Sequence, residues 1–219
     1  MSGQDRNHGL PRVVEICVAT LGLLFTAPLL AVSALLIKIT SHGPAVFRQR
    51  RVGRNGKTFM LFKLRTMNSG SGALITVAND RRVTGIGKIL RRYKIDELPQ
   101  LWNVILGDMS IVGPRPEVPE FVDLEDPDWH EILNFRPGLT DPVTLTLRNE
   151  EQLLAEVQAD HSYYKAVIQP YKIRGYLNFL RRRTWMKDLM IIYRTFTAVL
   201  LPGTVASPTI EEMRLSLAK

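Results

Sequence analysis

The stretch ICVATLGLLFTAPLLAVSALLI, from Ile16 to Ile37, contains no charged residue. As an α-helix it would extend about 33 Å at about 1.5 Å per residue, enough to cross the hydrocarbon core of a bilayer. It is longer than the apolar part of a cleaved signal peptide, and Lys38-Ile39-Thr40 offers no small-residue cleavage site. The stretch therefore predicts a retained membrane segment.

Pro28 lies near the middle of this stretch. Proline lacks a backbone donor and clashes with the preceding turn, so the helix is expected to kink there. Two topologies are open: a kinked transmembrane helix, or a re-entrant helix that returns to the face it entered. The basic residues that follow, Lys38, Arg48, Arg50 and Arg51, place the rest of the chain in the cytoplasm in either case.

The composition fits one globular domain beside this segment, since 45% of the 219 residues are hydrophobic and 23% are charged. Cys17 is the single cysteine, which excludes an internal disulfide and a cysteine-rich metal site. The net charge of +8 is segregated: residues 48–94 carry 13 Lys and Arg against one acid, and residues 95–160 carry 15 acids against three Arg. The basic block could bind nucleic acid, an anionic membrane surface or phosphorylated substrates.

The remaining chain shows short elements with frequent breaks. The Asn55-Gly56 pair predicts the turn of a β-hairpin with strands over 45–52 and 57–65. Beyond it we expect a mobile loop over 68–80, helices over 87–94, 96–106 and 149–168, an end of the last helix at Pro170, and a basic amphipathic helix over 177–201. That last helix suits a membrane interface, although an ordinary core-facing helix is the alternative.

The stretch Asp96-Glu97-Leu98-Pro99-Gln100 is the most informative for chemistry. Adjacent side chains on a helix point about 100° apart, so the two carboxylates are expected to do different jobs. Proline is tolerated in the first turn of a helix, which makes Asp96 a candidate N-cap. The other interpretation is that one carboxylate attacks phosphorus while the other helps to hold Mg²⁺ beside a diphosphate.

Two further motifs carry arginines. In Gly113-Pro114-Arg115-Pro116 the prolines stiffen the loop around an arginine whose planar fork of donors suits phosphate oxygens. A rigid loop with a surface arginine is the plainer interpretation. Arg136, followed by Pro-Gly, first suggests a turn. The sequence shows no histidine pair with metal-ligand spacing, no Walker motif and no nucleophile elbow.

The ordered set of motifs resembles that of the bacterial sugar transferases called monotopic phosphoglycosyl transferases, over roughly residues 10–200. The motifs are the apolar run broken at Pro28, Phe62-Lys63-Leu-Arg-Thr-Met67, Arg91-x4-Asp96-Glu97-Leu98-Pro99-Gln100, Gly107-Asp108-Met-Ser110, Gly113-Pro-Arg-Pro116 and Arg136-Pro-Gly-Leu-Thr140. Each motif alone is modest evidence for the family, but the ordered set of motifs is highly specific.

The resemblance implies a two-step reaction. Asp96 would attack the β-phosphate of a UDP-sugar, UMP would leave, and polyprenol (undecaprenyl) phosphate would then take the phosphosugar from the enzyme. Glu97 matches the second member of the dyad, tied with Asp96 to Mg²⁺ and proton handling. Lys63, Arg91 and Arg115 match basic residues that bind phosphate and substrate, and Arg136 is a further candidate for that role.

The resemblance also implies an α+β, mainly helical fold. It would have a re-entrant membrane helix kinked at Pro28, a short β-hairpin, and amphipathic interfacial helices around a cytoplasmic active site. The chain then divides into a flexible N-terminus (1–10), the re-entrant helix (11–40), a membrane-associated catalytic domain (41–202) and a flexible tail (203–219). The expected location is the cytoplasmic face of the bacterial inner membrane. The partners would be a UDP-sugar, polyprenyl phosphate and the bilayer, without nucleic acid, and a homodimer is left open.

The sequence departs from the family pattern at two places. Ala27 stands where a serine often precedes the helix-breaking proline. Residues 141–144 read Asp-Pro-Val-Thr where many members have Gly-Trp-Ala-Gln, and 148–151 read Arg-Asn-Glu-Glu, so the identity of the sugar donor is open. A non-catalytic membrane scaffold or nucleic-acid-binding protein is the alternative function.

Overall fold

The computed structural model of the protein describes residues 9–68, 76–157, 161–201 and 205–217. In chain order the elements are α1 (Arg12–Thr40), β1 (Val46–Val52), β2 (Thr58–Leu64), α2 (Gly85–Arg92), α3 (Gln100–Leu106), β3 (Ser110–Val112), α4 (Pro127–Leu133), β4 (Gly138–Thr140), α5 (Pro142–Thr146), α6 (Glu150–Glu156), α7 (His161–Tyr163), α8 (Gln169–Arg181), α9 (Trp185–Leu200) and α10 (Ile210–Leu217). Turns of 3₁₀ helix occupy Arg54–Gly56, Ile95–Glu97 and Pro119–Phe121. The predicted mainly helical fold with a short β-hairpin is confirmed.

Helix α1 contains the predicted membrane segment. It is 29 residues long, and its most apolar 18-residue window has a mean hydropathy of 2.2. Most of its apolar side chains face away from the protein, and Phe25 is 92% exposed. Such a surface is stable in lipid rather than in water. The helix continues through Pro28, so the kink stays a prediction.

The start of α1 is fixed to the rest of the protein by a buried carboxylate. Glu15 is 1% exposed and accepts hydrogen bonds from the Ile111 backbone N–H and from Arg12, each at 3.1 Å. Arg12 also donates to the Met109 carbonyl at 2.9 Å. Further along, Gly22 packs so closely on Leu101 of α3 that a Cβ there would lie 3.1 Å from the leucine.

The end of α1 is fixed to the same folded body. The guanidinium of Arg65, directly after β2, donates to the Ser41 carbonyl at 3.0 Å. Ile37 is fully buried with Leu64 of β2 and Leu90 of α2. Helix α1 therefore lies along the domain, with contacts near both of its ends.

The β-hairpin forms where it was predicted. Strands β1 and β2 are antiparallel, with Val46 opposite Leu64 and Val52 opposite Thr58. Asn55 (φ 57°) and Gly56 (φ 73°) adopt the left-handed conformation that the turn requires. Lys63 lies on β2, one residue before its end.

The Asp96–Leu106 helix predicted from the sequence begins later than expected. Asp96 and Glu97 lie in the 3₁₀ turn Ile95–Glu97, and α3 begins only at Gln100. No side chain caps the N-terminus of α3, so Asp96 is not its N-cap. The reason is the preceding backbone: Lys94 adopts the left-handed conformation (φ 56°), which separates α2 from the turn.

A two-stranded parallel sheet supports the Gly-Pro-Arg-Pro loop. Ser110 of β3 pairs with Gly138 of β4, and Val112 pairs with Thr140. The next residue, Gly113, lies against Gly138 so closely that a Cβ on Gly138 would come 2.1 Å from the Gly113 nitrogen. Only two glycines permit this approach, which sets where the loop leaves the sheet.

The prediction that Pro170 ends a helix is wrong. The helical path runs from His161 through a π-helical segment, Tyr164–Ile168, into α8. The Gln169 N–H donates to the Tyr164 carbonyl five residues back, and this wider turn admits the proline ring in the first turn of α8. The predicted 149–168 helix includes residues 158–160, which lie outside the described residues.

The basic segment predicted as one helix over 177–201 is two helices. Helix α8 ends at Arg181, and α9 begins at Trp185 with a Thr184 N-cap that accepts from the Lys187 N–H. Large apolar side chains of α9 are exposed in a series at positions 185, 186, 189, 190, 193, 196 and 200. The helix is therefore amphipathic, as predicted.

The chain ends differ in part from the predicted flexible segments. Residues 1–8 and 69–75 lie outside the described residues, and Leu10 is buried. Part of the segment 203–219, predicted as a flexible tail, forms α10, which docks on the domain through Met213, a fully buried side chain. A single apolar anchor on a short helix gave too weak a periodic signal for the sequence to reveal it.

Candidate active site

The carboxylate of Glu97 is surrounded by cations. Its Oε1 and Oε2 accept hydrogen bonds from the two NH groups of Arg115 at 2.6 and 3.1 Å, and Lys63 Nζ lies 3.3 Å from Oε1. Lys94 Nζ is 3.9 Å away. Burial acts to raise the pKa of Glu97, but Arg115, Lys63 and Lys94 outweigh it and hold this pKa well below its ordinary value.

The neighbouring carboxylate of Asp96 is in a different environment. Asp96 is 6% exposed, and its buried Oδ1 has no hydrogen-bond partner among the described residues. Burial raises the pKa of Asp96, and the adjacent Glu97 charge raises it further. The two carboxylates therefore have different environments: Glu97 is paired with cations, and Asp96 has a buried oxygen without a hydrogen-bond partner among the described residues.

Lys63 and Arg115 both come to this cluster, as predicted. The pKa of Lys63 is lowered to about 8, mainly by burial, with Glu97 acting to raise it and Arg115 acting to lower it. Burial likewise acts to lower the pKa of Arg115, but Glu97 reverses the effect and raises it. The two cations are therefore held at the site mainly by one carboxylate.

A second buried network anchors the loop that carries Arg115. Glu117 is 8% exposed and accepts a hydrogen bond from the Tyr164 hydroxyl at 2.9 Å and one from Lys172 Nζ at 3.5 Å. On the other side, Arg51 donates to the Pro116 carbonyl at 3.0 Å. The loop is thus clamped between β1 and α8.

Arg91 lies beside the cluster rather than in it. Its guanidinium donates to the Thr66 hydroxyl at 3.3 Å and forms an ion pair with Glu151 of α6. Its charge still acts on Asp96, because it opposes part of the rise in the pKa of that carboxyl. Arg136 donates from Nε to the Gly107 carbonyl at 3.1 Å, at the C-terminal end of α3, and its role in phosphate binding stays a prediction.

The sequence patterns missed several polar residues around the site. Glu117, Tyr164 and Lys172 are buried, and Arg51 is partly buried. Glu117 directly follows the Pro-Arg-Pro motif, which is the one local signal that could have drawn attention to it. Its partners Tyr164, in the π-helical segment, and Lys172, on α8, lie 47 and 55 residues further along the chain, so no short-range pattern reveals them.

The donor set of the site fits a magnesium ion held mostly by substrate. No group of three or more His, Cys, Asp or Glu side chains with suitable placement occurs in the described ranges. The unpartnered Oδ1 of Asp96 is a hard oxygen ligand, and Mg²⁺ commonly binds one or two carboxylates together with substrate phosphates. Glu97, by contrast, is committed to Arg115 and Lys63.

The arrangement of a buried, unpartnered carboxylate oxygen beside clustered cations agrees with the family comparison. A family model described as bacterial sugar transferase matches residues 6–202, most of the chain. This chain belongs to the bacterial sugar transferase family. The family expected from the ordered motifs is thereby confirmed, and the chain is a transferase.

Named relatives in this family show the range of sugars. The chain is 37% identical over 196 residues to a UDP-glucose:undecaprenyl-phosphate glucose-1-phosphate transferase of Caulobacter vibrioides, covering 86% of this chain and 69% of that protein. It is 33% identical over 198 residues to a UDP-N-acetylgalactosamine-undecaprenyl-phosphate N-acetylgalactosaminephosphotransferase of Aeromonas hydrophila, covering 87% of this chain and 44% of that one. It is 32% identical over 208 residues to the exopolysaccharide production protein ExoY of Sinorhizobium fredii, covering 87% and 85%.

Proposed function

We propose that this transferase moves a sugar-1-phosphate from a UDP-sugar to polyprenyl (undecaprenyl) phosphate, with release of UMP, as the first step of a bacterial surface glycan. The observation that carries the proposal is the unpartnered Asp96 Oδ1 beside the Glu97, Arg115 and Lys63 cluster. The names of the Caulobacter and Aeromonas relatives, which act on undecaprenyl phosphate and UDP-sugars, support it.

The reaction proceeds in two balanced steps. In the first, a carboxylate oxygen of Asp96 forms a bond to the β-phosphorus, and the bond from that phosphorus to the bridging oxygen breaks, so that UMP leaves with the electron pair. In the second, a phosphate oxygen of the polyprenyl phosphate attacks the same phosphorus and frees the Asp96 carboxylate. An acyl phosphate is reactive enough to pass its phosphosugar onward.

The cations of the cluster act on the charge of the diphosphate. Arg115 and Lys63 are fixed by Glu97 before substrate arrives, so they need little reorganisation to stabilise the charge that builds on UMP. Asp96 Oδ1 and the diphosphate oxygens would hold Mg²⁺, which supplies further neutralisation of that charge when bound. We therefore assign phosphate binding to Lys63 and Arg115, and Arg91 lies beside them.

We also propose that α1 enters the cytoplasmic leaflet of the inner membrane and returns to the same face. A straight helix of its length would extend about 43 Å, more than the roughly 30 Å hydrocarbon core. Contacts of Glu15 with Ile111 and of Ile37 with Leu64 hold both ends on one domain, which supports a helix that does not span. The exposed apolar face of α9 would lie at the same membrane surface.

The chemistry is tested by a screen for UMP release across UDP-sugars with Mg²⁺ and polyprenyl phosphate present. Wild type should release UMP from at least one donor, and a radiolabelled sugar phosphate should become acid-precipitable with the protein. Asp96→Asn should abolish both signals. Equal labelling of the two proteins would contradict the nucleophile, and no release from any donor would favour a non-catalytic scaffold.

The topology is tested with single cysteines placed before and after α1, at Pro11 and His42, in a Cys17→Ser background. An impermeant thiol reagent applied from the periplasmic side should label neither position, and both should react in inverted vesicles. Labelling of one position from outside would show that the helix spans the membrane. A homodimer stays a prediction.

A further inference from the structure

Buried polar atoms without partners are rare in folded proteins, and each needs an explanation. Within the described ranges five side-chain atoms are in this state: Nε of Arg51, Nε of Arg65, Oδ1 of Asp96, Nε2 of Gln100 and the hydroxyl of Tyr176. Asp96 and Gln100 are four residues apart. One presents an acceptor and the other a donor, and they do not bond to each other.

The backbone puts these two side chains on one face. After the 3₁₀ turn Ile95–Glu97, Leu98 (φ −55°, ψ −35°) and Pro99 (φ −60°, ψ −17°) keep helical angles up to the start of α3. Residues four apart along a helical path are neighbours, and helical side chains lean towards the N-terminus. Gln100 therefore lies on the same face of this helical path as Asp96.

Asn103 shows what a structural amide looks like on the same helix. It is fully buried, donates to the Met60 carbonyl at 2.7 Å and accepts from the Phe62 N–H at 3.1 Å, which ties α3 to β2. Gln100 is equally buried, at 1% exposure, yet its Nε2 donates to nothing. Its burial weakens the fold unless a ligand accepts the hydrogen bond.

We propose that Gln100 is a further catalytic residue, whose Nε2 donates a hydrogen bond to a non-bridging oxygen of the phosphorus that Asp96 attacks. This inference rests on the proposed function. Both NH groups of Arg115 already donate to Glu97, so the Gln100 amide is a donor with no competing acceptor. The amide neither gives nor takes a proton: the Asp96 oxygen-to-phosphorus bond forms, the bond to UMP breaks, and the hydrogen bond stabilises the oxygen between these events.

The test is Gln100→Met, which keeps the length of the side chain and removes the amide. Loss of one such donor should lower kcat for UMP release by about 100-fold. KM for the UDP-sugar should change little, because the bond strengthens in the transition state. The melting temperature should stay the same or rise, since an unsatisfied buried amide is gone. Gln100→Glu, which has the same shape without the donor, should lose at least as much activity.

Asn103→Leu is the matched control, because it removes a satisfied amide three residues along the same helix. It should lower the melting temperature clearly, whereas Gln100→Met should not. Wild-type kcat in Gln100→Met, or a loss of activity that only follows unfolded protein, would overturn the inference.

Wild type and Asp96→Asn in the same assay distinguish the role of Gln100 from the proposed function. An active wild type, an inactive Asp96→Asn and a fully active Gln100→Met would reject the role of Gln100 alone. An inactive wild type with every donor would reject the proposed function and this inference with it.

Discussion

Glu97 binds the guanidinium of Arg115 with both carboxylate oxygens, at 2.6 and 3.1 Å, and both side chains are mostly shielded from solvent. A carboxylate in such a fork is a fixed counter-charge, which leaves Asp96, directly before it, as the carboxylate available for chemistry. The two carboxylates therefore have different roles because their surroundings differ.

Glu97→Gln should destabilise the protein and impair catalysis. Removing one partner of a buried ion pair leaves Arg115 and Lys63 without their counter-charge, which should lower the free energy of unfolding by about 3 kcal/mol. The double variant Glu97→Gln/Arg115→Met should recover much of that stability without recovering UMP release. Urea denaturation and the UMP assay check the two effects. A fully active and stable Glu97→Gln would contradict the role of the fork.

Glu117→Gln should misplace Arg115 although it touches no substrate. Glu117 ties the Arg115 loop to Tyr164 and Lys172, and small displacements of a positioning group cost roughly 100-fold in efficiency. We expect kcat/KM to fall by roughly 10- to 100-fold, mainly through KM for the UDP-sugar.

A second substitution separates positioning from stability in this network. Lys172→Met added to Glu117→Gln removes a buried cation that has lost one of its two carboxylate partners and keeps only Glu150, at 2.8 Å. The double variant should restore part of the melting temperature, while KM stays high. Asp188→Asn is the control, because it breaks a buried pair with Arg183 that is hydrogen-bonded to Leu10 and Val112. It should lower the melting temperature and leave KM unchanged. The positioning role is wrong if KM follows stability in every variant.

Local turn chemistry made the hairpin predictable from the sequence. Asn55 and Gly56 are the residue types that adopt positive φ at low cost, so two adjacent letters fixed the reversal between β1 and β2. The membrane segment was predictable from local sequence too, because its apolar composition alone excludes most other structures for it. Neither feature depends on a distant part of the chain.

The contacts that make the site were less predictable, because they are long-range. The motifs marked Lys63, Glu97 and Arg115, but the ion pairs among them join residues 18 and 34 positions apart. Lys172 carried no motif at all, and its importance comes only from the fold. The helix end predicted at Pro170 was wrong because a π-helical turn just before it lets the helix continue through the proline, and no sequence pattern revealed that turn.

Asp141→Asn should change the pH dependence of stability. Asp141 is fully buried, and burial raises its pKa, although hydrogen bonds from Thr144 and Val143 act the other way. The pKa of Asp141 in the folded protein lies above its value of about 3.9 in the unfolded chain. The stability that this difference contributes is fully present below about pH 3.9 and is lost as pH rises through the folded pKa. Asparagine still caps α5 and does not titrate. The free energy of unfolding of Asp141→Asn, measured relative to that of wild type, should therefore increase as pH is raised from acid to neutral.

Urea denaturation at a series of pH values checks this prediction. Asp126→Asn makes the same substitution at the N-cap of α4 and is the matched control. A constant difference for Asp141→Asn would mean that the buried carboxylate does not titrate differently in the folded state.

Glu151→Gln should increase the affinity for the donor. Arg91 is paired with Glu151, a half-exposed carboxylate of α6 that competes with a substrate phosphate for the same guanidinium. Exposed pairs contribute up to about 1 kcal/mol, so KM for the UDP-sugar should fall by roughly 3- to 5-fold, with little change in stability. Glu156→Gln, an exposed acid on the same helix, is the matched control and should leave KM unchanged. Arg91→Ala should raise KM and abolish the effect of Glu151→Gln in the double variant, because the carboxylate then has no guanidinium to release. A Glu151→Gln effect that persists without Arg91 would show that α6 acts on the substrate by another route.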